Sequence, residues 1–318
     1  MVGALTAVYL DPQLAEYGFG EDHPFNNFRY GAFAEAFQHL LLDKRVTIMK
    51  GCLATDAEIT QFHTQEYLNF IKKKSAEGSG FLDYGDTPVV PGIFEASAYV
   101  VGTVLDAVDQ MMEGTIKRAF VPIAGLHHSH TAAASGFCVF NDIAIAIHTL
   151  RQKYNVEKIA YVDIDVHHGD GVYYAFENDG DLVFADIHQS GIFPGTGHPY
   201  EQGKGQAKGK KLNIPLPAGA GDEDFFAVWP HVEKLLEQEK PEFIILQCGA
   251  DSLADDPLAY LQYSEKPHAY ATRRLCELAN KYAQGRLLAL GGGGYNLQNI
   301  ARAWTAVVRS LIDMPFDK

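Results

Sequence analysis

The sequence predicts an α/β protein in which one largely parallel β-sheet is covered by helices on both faces. Short apolar runs recur along the 318 residues, and longer stretches with helical periodicity separate them. Several of these runs are apolar without interruption, which is typical of strands buried on both faces of a sheet. No repeat or linker-like stretch divides the chain. We therefore expect a single domain over residues 1–318.

The elements are predicted from these patterns in chain order. The strands are expected at residues 5–10, 119–123, 158–162, 182–185, 243–247 and 287–290. The helices are expected at residues 28–42, 56–73, 94–113, 141–153, 222–239, 268–283 and 296–312. Asp222 is a predicted N-cap, and the Gly- and Lys-rich residues 203–211 are predicted to form a surface loop. In such sheets, ligand sites lie beyond the carboxyl ends of the strands, so functional residues are expected directly after the apolar runs.

Composition excludes several classes of function. The chain has 26 Lys and Arg against 40 Asp and Glu, a net charge of −14, which disfavours binding to nucleic acid and suits a cationic small molecule or a basic peptide. No apolar run reaches the ~18 residues needed to span a membrane. The four cysteines show no CxxC spacing and are expected to be reduced, with Cys138 and Cys248 buried. These features predict a cytoplasmic protein without membrane contact.

A metal site is predicted after two of the strands. Asp163, Asp165 and His167 recur at every second position, so on an extended strand they would share one side. Two carboxylates and an imidazole suit Zn²⁺ or Fe²⁺, although an acidic strand end in an ion-pair network is the alternative. Asp251 follows another strand and completes a three-ligand set, whereas a single Asp at such a position is more often a cap or a turn residue.

Two further strand ends carry candidate catalytic groups. The pair His127-His128 follows one strand, and Asp163 and Asp170 are available to orient the two imidazoles, while His130 is interpreted as structural. The run Gly291-Gly292-Gly293-Gly294 precedes Tyr295 and predicts a tight turn that presents a phenol to the site. A phosphate cradle is the weaker interpretation of this run because no GxGxxG motif is present.

Taken together, these segments resemble the zinc-dependent histone deacetylase superfamily, which includes bacterial acetoin-utilisation deacetylases and acetylpolyamine amidohydrolases. The resemblance covers nearly the whole chain and rests on motifs in the family's order. They are Asp22-His23-Pro24 with Arg29, His63-Thr64-Gln65-Glu66-Tyr67, Gly92-Ile93-Phe94, His127-His128 with Ser135-Gly136-Phe137-Cys138, residues 163–171, Phe193-Pro194-Gly195-Thr196-Gly197, Gly249-Ala250-Asp251, and residues 291–295.

The resemblance implies the arginase/deacetylase fold and a role for each matching residue. The implied zinc ligands are Asp165, His167 and Asp251. The implied catalytic residues are His127 and His128, with Asp163 behind the first and Asp170 behind the second, and Tyr295 as oxyanion donor. The implied substrate tunnel is formed by Gly136, Phe137, Phe193, Leu258 and Glu95. The family also has a structural K⁺ site, here at Asp163, Asp165, His167 and Asp186, although Asp186 stands where the family has a serine.

The implied activity is hydrolysis of the amide that joins an acyl group to the ε-amine of lysine in a peptide or protein. The His168–Val172 segment, HGDGV, is similar to the lysine-deacetylase branch. An acetylpolyamine amidohydrolase is the alternative, because Glu95 stands where many lysine deacetylases have Asp, and an acidic rim suits polyamines. A binuclear arginase-like enzyme is disfavoured because positions 249 and 253 are Gly and Leu rather than acids. An inactive binding module is disfavoured because every ligand and the tyrosine are present. The sequence leaves the oligomeric state open.

Overall fold

A computed structural model describes residues 6–312. It contains one eight-stranded sheet with the order β2-β1-β3-β8-β7-β4-β5-β6, and all of its strand pairs are parallel. The strands are β1 (Thr6–Tyr9), β2 (Thr47–Met49), β3 (Arg118–Val121), β4 (Ile159–Asp163), β5 (Leu182–Gln189), β6 (Lys211–Leu216), β7 (Phe243–Gln247) and β8 (Leu287–Leu290). The predicted α/β class and parallel sheet are confirmed. Leu5, placed in the first predicted strand, lies outside the described residues.

The helices pack in two sets. They are α1 (Phe28–His39), α2 (Asp56–Ile59), α3 (Gln65–Glu77), α4 (Ile93–Met112), α5 (Asp142–Tyr154), α6 (Asp170–Ala175), α7 (Asp222–Glu239), α8 (Lys266–Tyr282) and α9 (Leu297–Leu311). Helices α1, α7, α8 and α9 contact one another in series, and α2 to α6 form the second set. Strands β3, β4, β5, β7 and β8 are buried along their whole length, as expected for a sheet covered on both faces. No helix within residues 6–312 has the length and apolarity required to cross a membrane.

Strands β2 and β6 were not predicted from the sequence. They form the two edges of the sheet, so they lack the uninterrupted apolar run of a buried strand. Strand β2 is only partly buried, and Ile48 in its centre is 41% exposed. Strand β6 contains Lys211, Asn213 and Pro215, so its sequence is not an apolar run. Edge strands have one free side and tolerate polar residues and proline. The loop predicted at 203–211 is therefore right only up to Lys210, since Lys211 starts β6 and its ammonium donates to the carbonyls of Asp179 and Leu182.

Two predictions about helix ends are wrong. The single helix predicted at 56–73 is two helices. The Thr64 hydroxyl accepts a hydrogen bond from Tyr67 N (3.1 Å), so Thr64 is the N-cap of a second helix, α3. Asp222 is not the N-cap of α7. Gly221 occupies that position, its N–H donates to Asp224 Oδ2 (2.8 Å), and Asp222 instead accepts a hydrogen bond from the backbone of Ser264. The short helix α6 was not predicted.

The parallel arrangement brings four chain segments to one edge of the sheet. Strands β3, β8, β7 and β4 are neighbours, so the segments that follow them leave the sheet side by side. These segments begin at residues 122, 291, 248 and 164 and carry the predicted histidines, tyrosine and metal ligands. All four cysteines are free thiols, and the predicted burial of Cys138 and Cys248 is confirmed.

Candidate active site

Asp165, His167 and Asp251 form a buried group of potential metal ligands. Each offers a donor atom, and these atoms all lie within 4.8 Å of one another. His167 Nδ1 is 3.2 Å from Asp165 Oδ1 and 3.2 Å from Asp251 Oδ2. Ligands at the usual Zn–N and Zn–O distances of about 2.0–2.2 Å lie about 3.4 Å apart in a tetrahedron. The three side chains therefore fit a small, tetrahedrally coordinated divalent ion.

The local backbone differs from the pattern that suggested this site. Strand β4 ends at Asp163, so Asp165 and His167 lie in the following loop rather than on one side of an extended strand. Successive carboxylates order this loop, because Asp165 N donates to Asp163 Oδ1 (3.0 Å) and His167 N donates to Asp165 Oδ1 (3.0 Å). Asp251 lies in the turn after β7, where it accepts a hydrogen bond from Val166 N (3.1 Å). The turn and the loop are thereby held together.

The electrostatics of this group favour a bound cation. Burial and the nearby Asp165 raise the pKa of Asp251 to about 7. Burial alone would lower the pKa of His167, but hydrogen bonds to Asp165 and Asp251 raise it to about 10. A Cβ atom on Gly293 would lie 2.1 Å from Asp251 Oδ2, so only glycine lets the backbone approach this closely. The Gly293 N–H uses this approach to donate to Asp165 Oδ2 at 2.8 Å. The donor set is the nitrogen and oxygen set that suits Zn²⁺ or Fe²⁺.

His127 and His128 lie beside this group, and each is held by its own carboxylate. His127 Nδ1 is 2.8 Å from Asp163 Oδ2, and His128 Nδ1 is 2.6 Å from Asp170 Oδ1. Their Nε2 atoms are 3.0 Å apart and face the same space. Burial and the neighbouring His127 lower the pKa of His128 to about 4, although Asp170 opposes them. His128 is therefore neutral at physiological pH and able to accept a proton.

The structure adds two residues that support the histidine pair. Asp142, at the start of α5, accepts hydrogen bonds from Gly125 N and Leu126 N, both at 2.7 Å, and so fixes the turn before the pair. His130, interpreted from the sequence as structural, has its Nε2 3.3 Å from Asp170 Oδ2. The pKa of His130 is raised by Asp170 against an opposing effect of burial. The carboxylate behind His128 thus contacts two imidazoles. The His-His-Ser-His spacing is the only signal in the sequence for this second contact.

Tyr295 completes the group, and a buried arginine positions its turn. Burial is the main cause that raises the pKa of the Tyr295 phenol well above its ordinary value, so the phenol remains a hydrogen-bond donor. Arg29 on α1 donates from Nε to Gly294 O (2.7 Å) and from Nη2 to Gly292 O (2.6 Å). Its guanidinium also lies 3.8 Å from the centre of the Phe25 ring. The sequence provides Arg29 only as part of a motif, without this role.

Most of the predicted tunnel residues surround the catalytic groups. The Phe193 ring is 5.0 Å from the His128 ring, and the Phe137 ring is 5.8 Å from the Tyr295 ring. Gly136 adopts φ +55°, and a Cβ there would lie 2.5 Å from His128 Cδ2.

Leu258 is linked to the turn that carries Tyr295 through Asp256. The backbone N–H of Leu258 donates to Asp256 Oδ1 (3.0 Å), and the second oxygen of Asp256 accepts from Tyr295 N (2.8 Å). Leu258 therefore lies next to the turn that carries the phenol.

Glu95 is the one predicted tunnel residue that the structure does not bring to this group. It lies in the first turn of α4, as expected, but its Oε2 is 3.5 Å from Ser75 Oγ because this turn packs against α3.

The acidic residues near the Phe137 side of the tunnel are instead in the loop 82–87. The Thr87 hydroxyl accepts from Phe137 N (3.1 Å), and the His23 ring, whose Nε2 is 3.3 Å from Asp86 O, packs on Phe137. Asp86 was not singled out from the sequence.

Asp186 lies next to Asp163, the carboxylate that contacts His127, and already has a protein partner. It pairs in register with Asp163 on the adjacent strand. Its Oδ1 is 2.7 Å from His188 Nδ1, and its Oδ2 accepts from Gly169 N (2.9 Å). Burial would lower the pKa of His188, but Asp186 raises it above the ordinary value. The departure from the family's serine therefore introduces an internal Asp–His pair beside the expected K⁺ site, whose occupancy stays a prediction.

Comparisons with known proteins identify the family of this chain. Residues 23–311 match the family described as the histone deacetylase domain. The acetoin utilization protein AcuC of Bacillus subtilis (strain 168) is 34% identical over 307 residues, which cover 93% of this chain and 79% of AcuC. Histone deacetylase 6 of Arabidopsis thaliana is 35% identical over 308 residues, which cover 93% of this chain and 64% of that protein. The crystal structure of the HDA15 HD domain aligns with a TM-score of 0.88 and 26% identity, covering 97% of this chain and 89% of that one. On this evidence, the chain belongs to the histone deacetylase family.

Proposed function

We propose that this protein is a zinc-dependent amidohydrolase that removes acetyl or other acyl groups from the ε-amine of lysine in peptides or proteins. The observation that carries the proposal is the convergence of three kinds of group. The ligand group of Asp165, His167 and Asp251 lies beside two histidines that are each held by a carboxylate, and beside the Tyr295 turn. This is the set of residues that metal-assisted hydrolysis of an amide requires.

In this proposal, Asp165, His167 and Asp251 hold the zinc ion. When bound, zinc supplies Lewis acidity toward the amide carbonyl and lowers the pKa of a water molecule. His128 accepts the proton of the attacking water at Nε2, since its Nδ1 is engaged by Asp170, and later returns it to the amine that leaves. His127, held by Asp163, positions the water through its own Nε2. Fe²⁺ is the second ion that this donor set suits.

Tyr295 and the aromatic tunnel supply the remaining interactions. The phenol donates a hydrogen bond to the oxygen of the scissile carbonyl as negative charge develops on it. Phe137 and Phe193 line the approach to the histidines and enclose the alkyl chain of the acylated lysine. Within residues 6–312, a single group of three donors has the geometry of a metal site, which argues against the binuclear arginase-like alternative.

An acetylpolyamine is the second candidate substrate, and one observation favours it. Asp83 places negative charge close to Phe137, because Thr87 N donates to Asp83 Oδ1 (3.0 Å) and the Thr87 hydroxyl accepts from Phe137 N (3.1 Å). A cationic chain of amines would be attracted to such a mouth. The position of Leu258 beside the turn that carries Tyr295 favours an acyl-lysine substrate instead, because Leu258 offers an apolar contact and no charge to a polyamine.

Kinetics with a panel of substrates test the proposal. The zinc-loaded protein is assayed with fluorogenic lysine peptides carrying acyl groups of increasing length, beside N-acetylputrescine, N-acetylcadaverine and N-acetylspermidine. We expect kcat/KM to be larger for at least one acyl-lysine peptide than for each polyamine. A consistent preference for the polyamines would overturn the assignment of lysine as the substrate. Activity that survives exhaustive chelation would overturn the assignment of a metal.

A further inference from the structure

A second cavity opens beside the catalytic tunnel. Its volume is about 470 Å³, and it is lined by the N-terminal half of α3, by residues 82–84 and by residues 132–134. We call it the α3 groove. The hydrogen bond from Thr64 N to Thr131 O (3.0 Å) joins two of its walls, so the groove is part of the folded scaffold. None of the residues assigned to catalysis or metal binding lines it.

The α3 groove lies next to the rim of the tunnel on two sides. Ala134 on its wall is two residues from Gly136 in the tunnel, so their Cα atoms are at most about 7.6 Å apart. Asp83 on the opposite wall accepts a hydrogen bond from Thr87 N (3.0 Å), and the hydroxyl of Thr87 in turn accepts from Phe137 N (3.1 Å). An extended peptide advances about 3.3–3.6 Å per residue. We therefore expect a side chain two to four residues from a lysine in the tunnel to reach the groove.

The lining of the groove is both acidic and aromatic. Glu66 is exposed, and within the described residues it forms no ion pair or hydrogen bond through its side chain. Asp83 is the more acidic member of a carboxyl pair with Asp86. Burial alone would raise its pKa, but hydrogen bonds from the Asp86 carboxyl, Thr87 and backbone N–H groups lower it to about 2, while burial and Asp83 raise the pKa of Asp86 to about 6. Phe70 is 38% exposed and Tyr84 is fully exposed, so both rings are accessible. The lining contains no Lys or Arg.

We propose that the α3 groove binds an arginine side chain of the peptide substrate, two to four residues from the acylated lysine. The inference rests on the proposed function, since the lysine in the tunnel fixes the position of the peptide. Glu66 accepts hydrogen bonds from the guanidinium, and Asp83 adds attraction at longer range. The ring of Phe70 offers a face on which a planar cation stacks. The arginine, being positive, also complements the net charge of −14.

Paired peptides and one matched pair of variants test this inference. Each peptide pair carries acetyl-lysine and differs only in arginine or citrulline, its neutral isostere, at one position on either side of the lysine. Glu66→Gln removes the charge in the groove. Glu223→Gln is the control, because Glu223 is also an exposed residue at the second position of its helix, α7. The measured quantity is the ratio of kcat/KM for the arginine peptide to that for the citrulline peptide.

We expect the wild-type protein to prefer arginine at one or more positions two to four residues from the lysine. Glu66→Gln should reduce the ratio about 2- to 5-fold, the effect of an exposed ion pair, through KM rather than kcat. Glu223→Gln should leave the ratio unchanged. Phe70→Leu keeps an apolar side chain, removes the aromatic face and should reduce the ratio about 2-fold. Neither Glu66 nor Phe70 belongs to the catalytic group, so turnover of the citrulline peptides should be unaffected in every variant.

Two results would overturn the inference, and they differ from a failure of the proposed function. Equal kcat/KM for arginine and citrulline peptides at every position would show that no arginine is recognised. An equal fall in the ratio for Glu66→Gln and Glu223→Gln would assign the preference to overall charge and not to the groove. In both cases the peptides are still turned over. The absence of turnover for every acyl-lysine peptide would instead refute the proposed function, and the inference with it.

Discussion

Replacing Asp170 by asparagine tests whether this carboxylate sets the strength of His128 as a base. The two side chains are 2.6 Å apart and at most 8% exposed, so solvent screens their interaction little. A hydrogen bond to a charged group contributes about 1.5–3 kcal/mol, and a neutral one about 0.5–1.5 kcal/mol. Asparagine keeps an acceptor and removes the charge, so about 1–2 kcal/mol is lost. This loss corresponds to a fall in kcat/KM of about 5- to 30-fold.

The same variant has a characteristic pH dependence. Burial and His127 lower the pKa of His128 to about 4, and Asp170 acts in the opposite direction. Without the carboxylate, the pKa of His128 falls further, so the acid limb of the kcat/KM profile moves to lower pH while its plateau falls. Because this limb lies near pH 4 in the wild-type protein, initial rates with an acetyl-lysine peptide are measured from about pH 3 to 9 to record both effects.

Two controls make the result interpretable. Zinc content and the urea unfolding curve of Asp170→Asn establish that the variant is folded and loaded. Asp181→Asn removes the same charge from an exposed position and should leave the kinetics unchanged. An Asp170→Asn protein that retains zinc, the wild-type plateau and the wild-type acid limb would refute the role assigned to Asp170 and, with it, the choice of His128 as base.

Three further predictions follow from the site. Tyr295→Phe should keep its zinc and lower kcat about 10²- to 10³-fold, the loss expected for one oxyanion donor, and near-wild-type turnover would contradict that role. Elemental analysis should find one zinc per wild-type chain and none in Asp251→Ala, whose activity is lost with the metal. Two equivalents per chain would favour a binuclear site. Asp142→Asn should lower the free energy of unfolding in urea by about 1–3 kcal/mol, because a buried backbone N–H of Gly125 or Leu126 loses its acceptor. An unchanged unfolding midpoint would show that the turn does not depend on this carboxylate.

Burial explains which strands can be predicted from the sequence. Strand β7, for example, is buried at every position, and its residues from Phe243 to Gln247 are almost all apolar. Strand β6 has the same parallel pairing but lies at the edge, where Lys211 and Asn213 find partners outside the sheet. The pattern of apolar residues therefore identifies the buried strands of this sheet but not its two edge strands.

The residues of the candidate site are predictable to the extent that they follow strand ends. Asp165, His167 and Asp251 each come soon after an apolar run, and the parallel sheet brings these positions together. The contacts of Asp142 with Gly125 and Leu126 depend on how loops fold back over 16 or 17 residues, and no local pattern encodes them.

Glu95 is the predicted tunnel residue that the structure leaves outside the group of candidate site residues. The sequence places Glu95 close to a glycine motif, but it does not show that the first turn of α4 faces α3. The loop 82–87 instead folds onto Phe137 through a threonine hydroxyl. The direction of a helix face and the path of a loop depend on packing between distant segments, which composition and periodicity do not determine.

The hydrogen bonds of Arg29 have a consequence for the order in which the site can be assembled during synthesis. The candidate metal ligands and both histidines have all been translated once residue 251 is made. The carbonyls that Arg29 binds lie 263 and 265 residues after Arg29, at Gly292 and Gly294. The hydrogen bonds that fix the turn carrying Tyr295 can therefore form only after the residues that follow β8 have been synthesised and have packed against α1. A nascent chain that has reached the metal-binding stage still lacks its oxyanion donor. If Tyr295 acts as proposed, activity therefore requires that the residues after β8 have packed against α1.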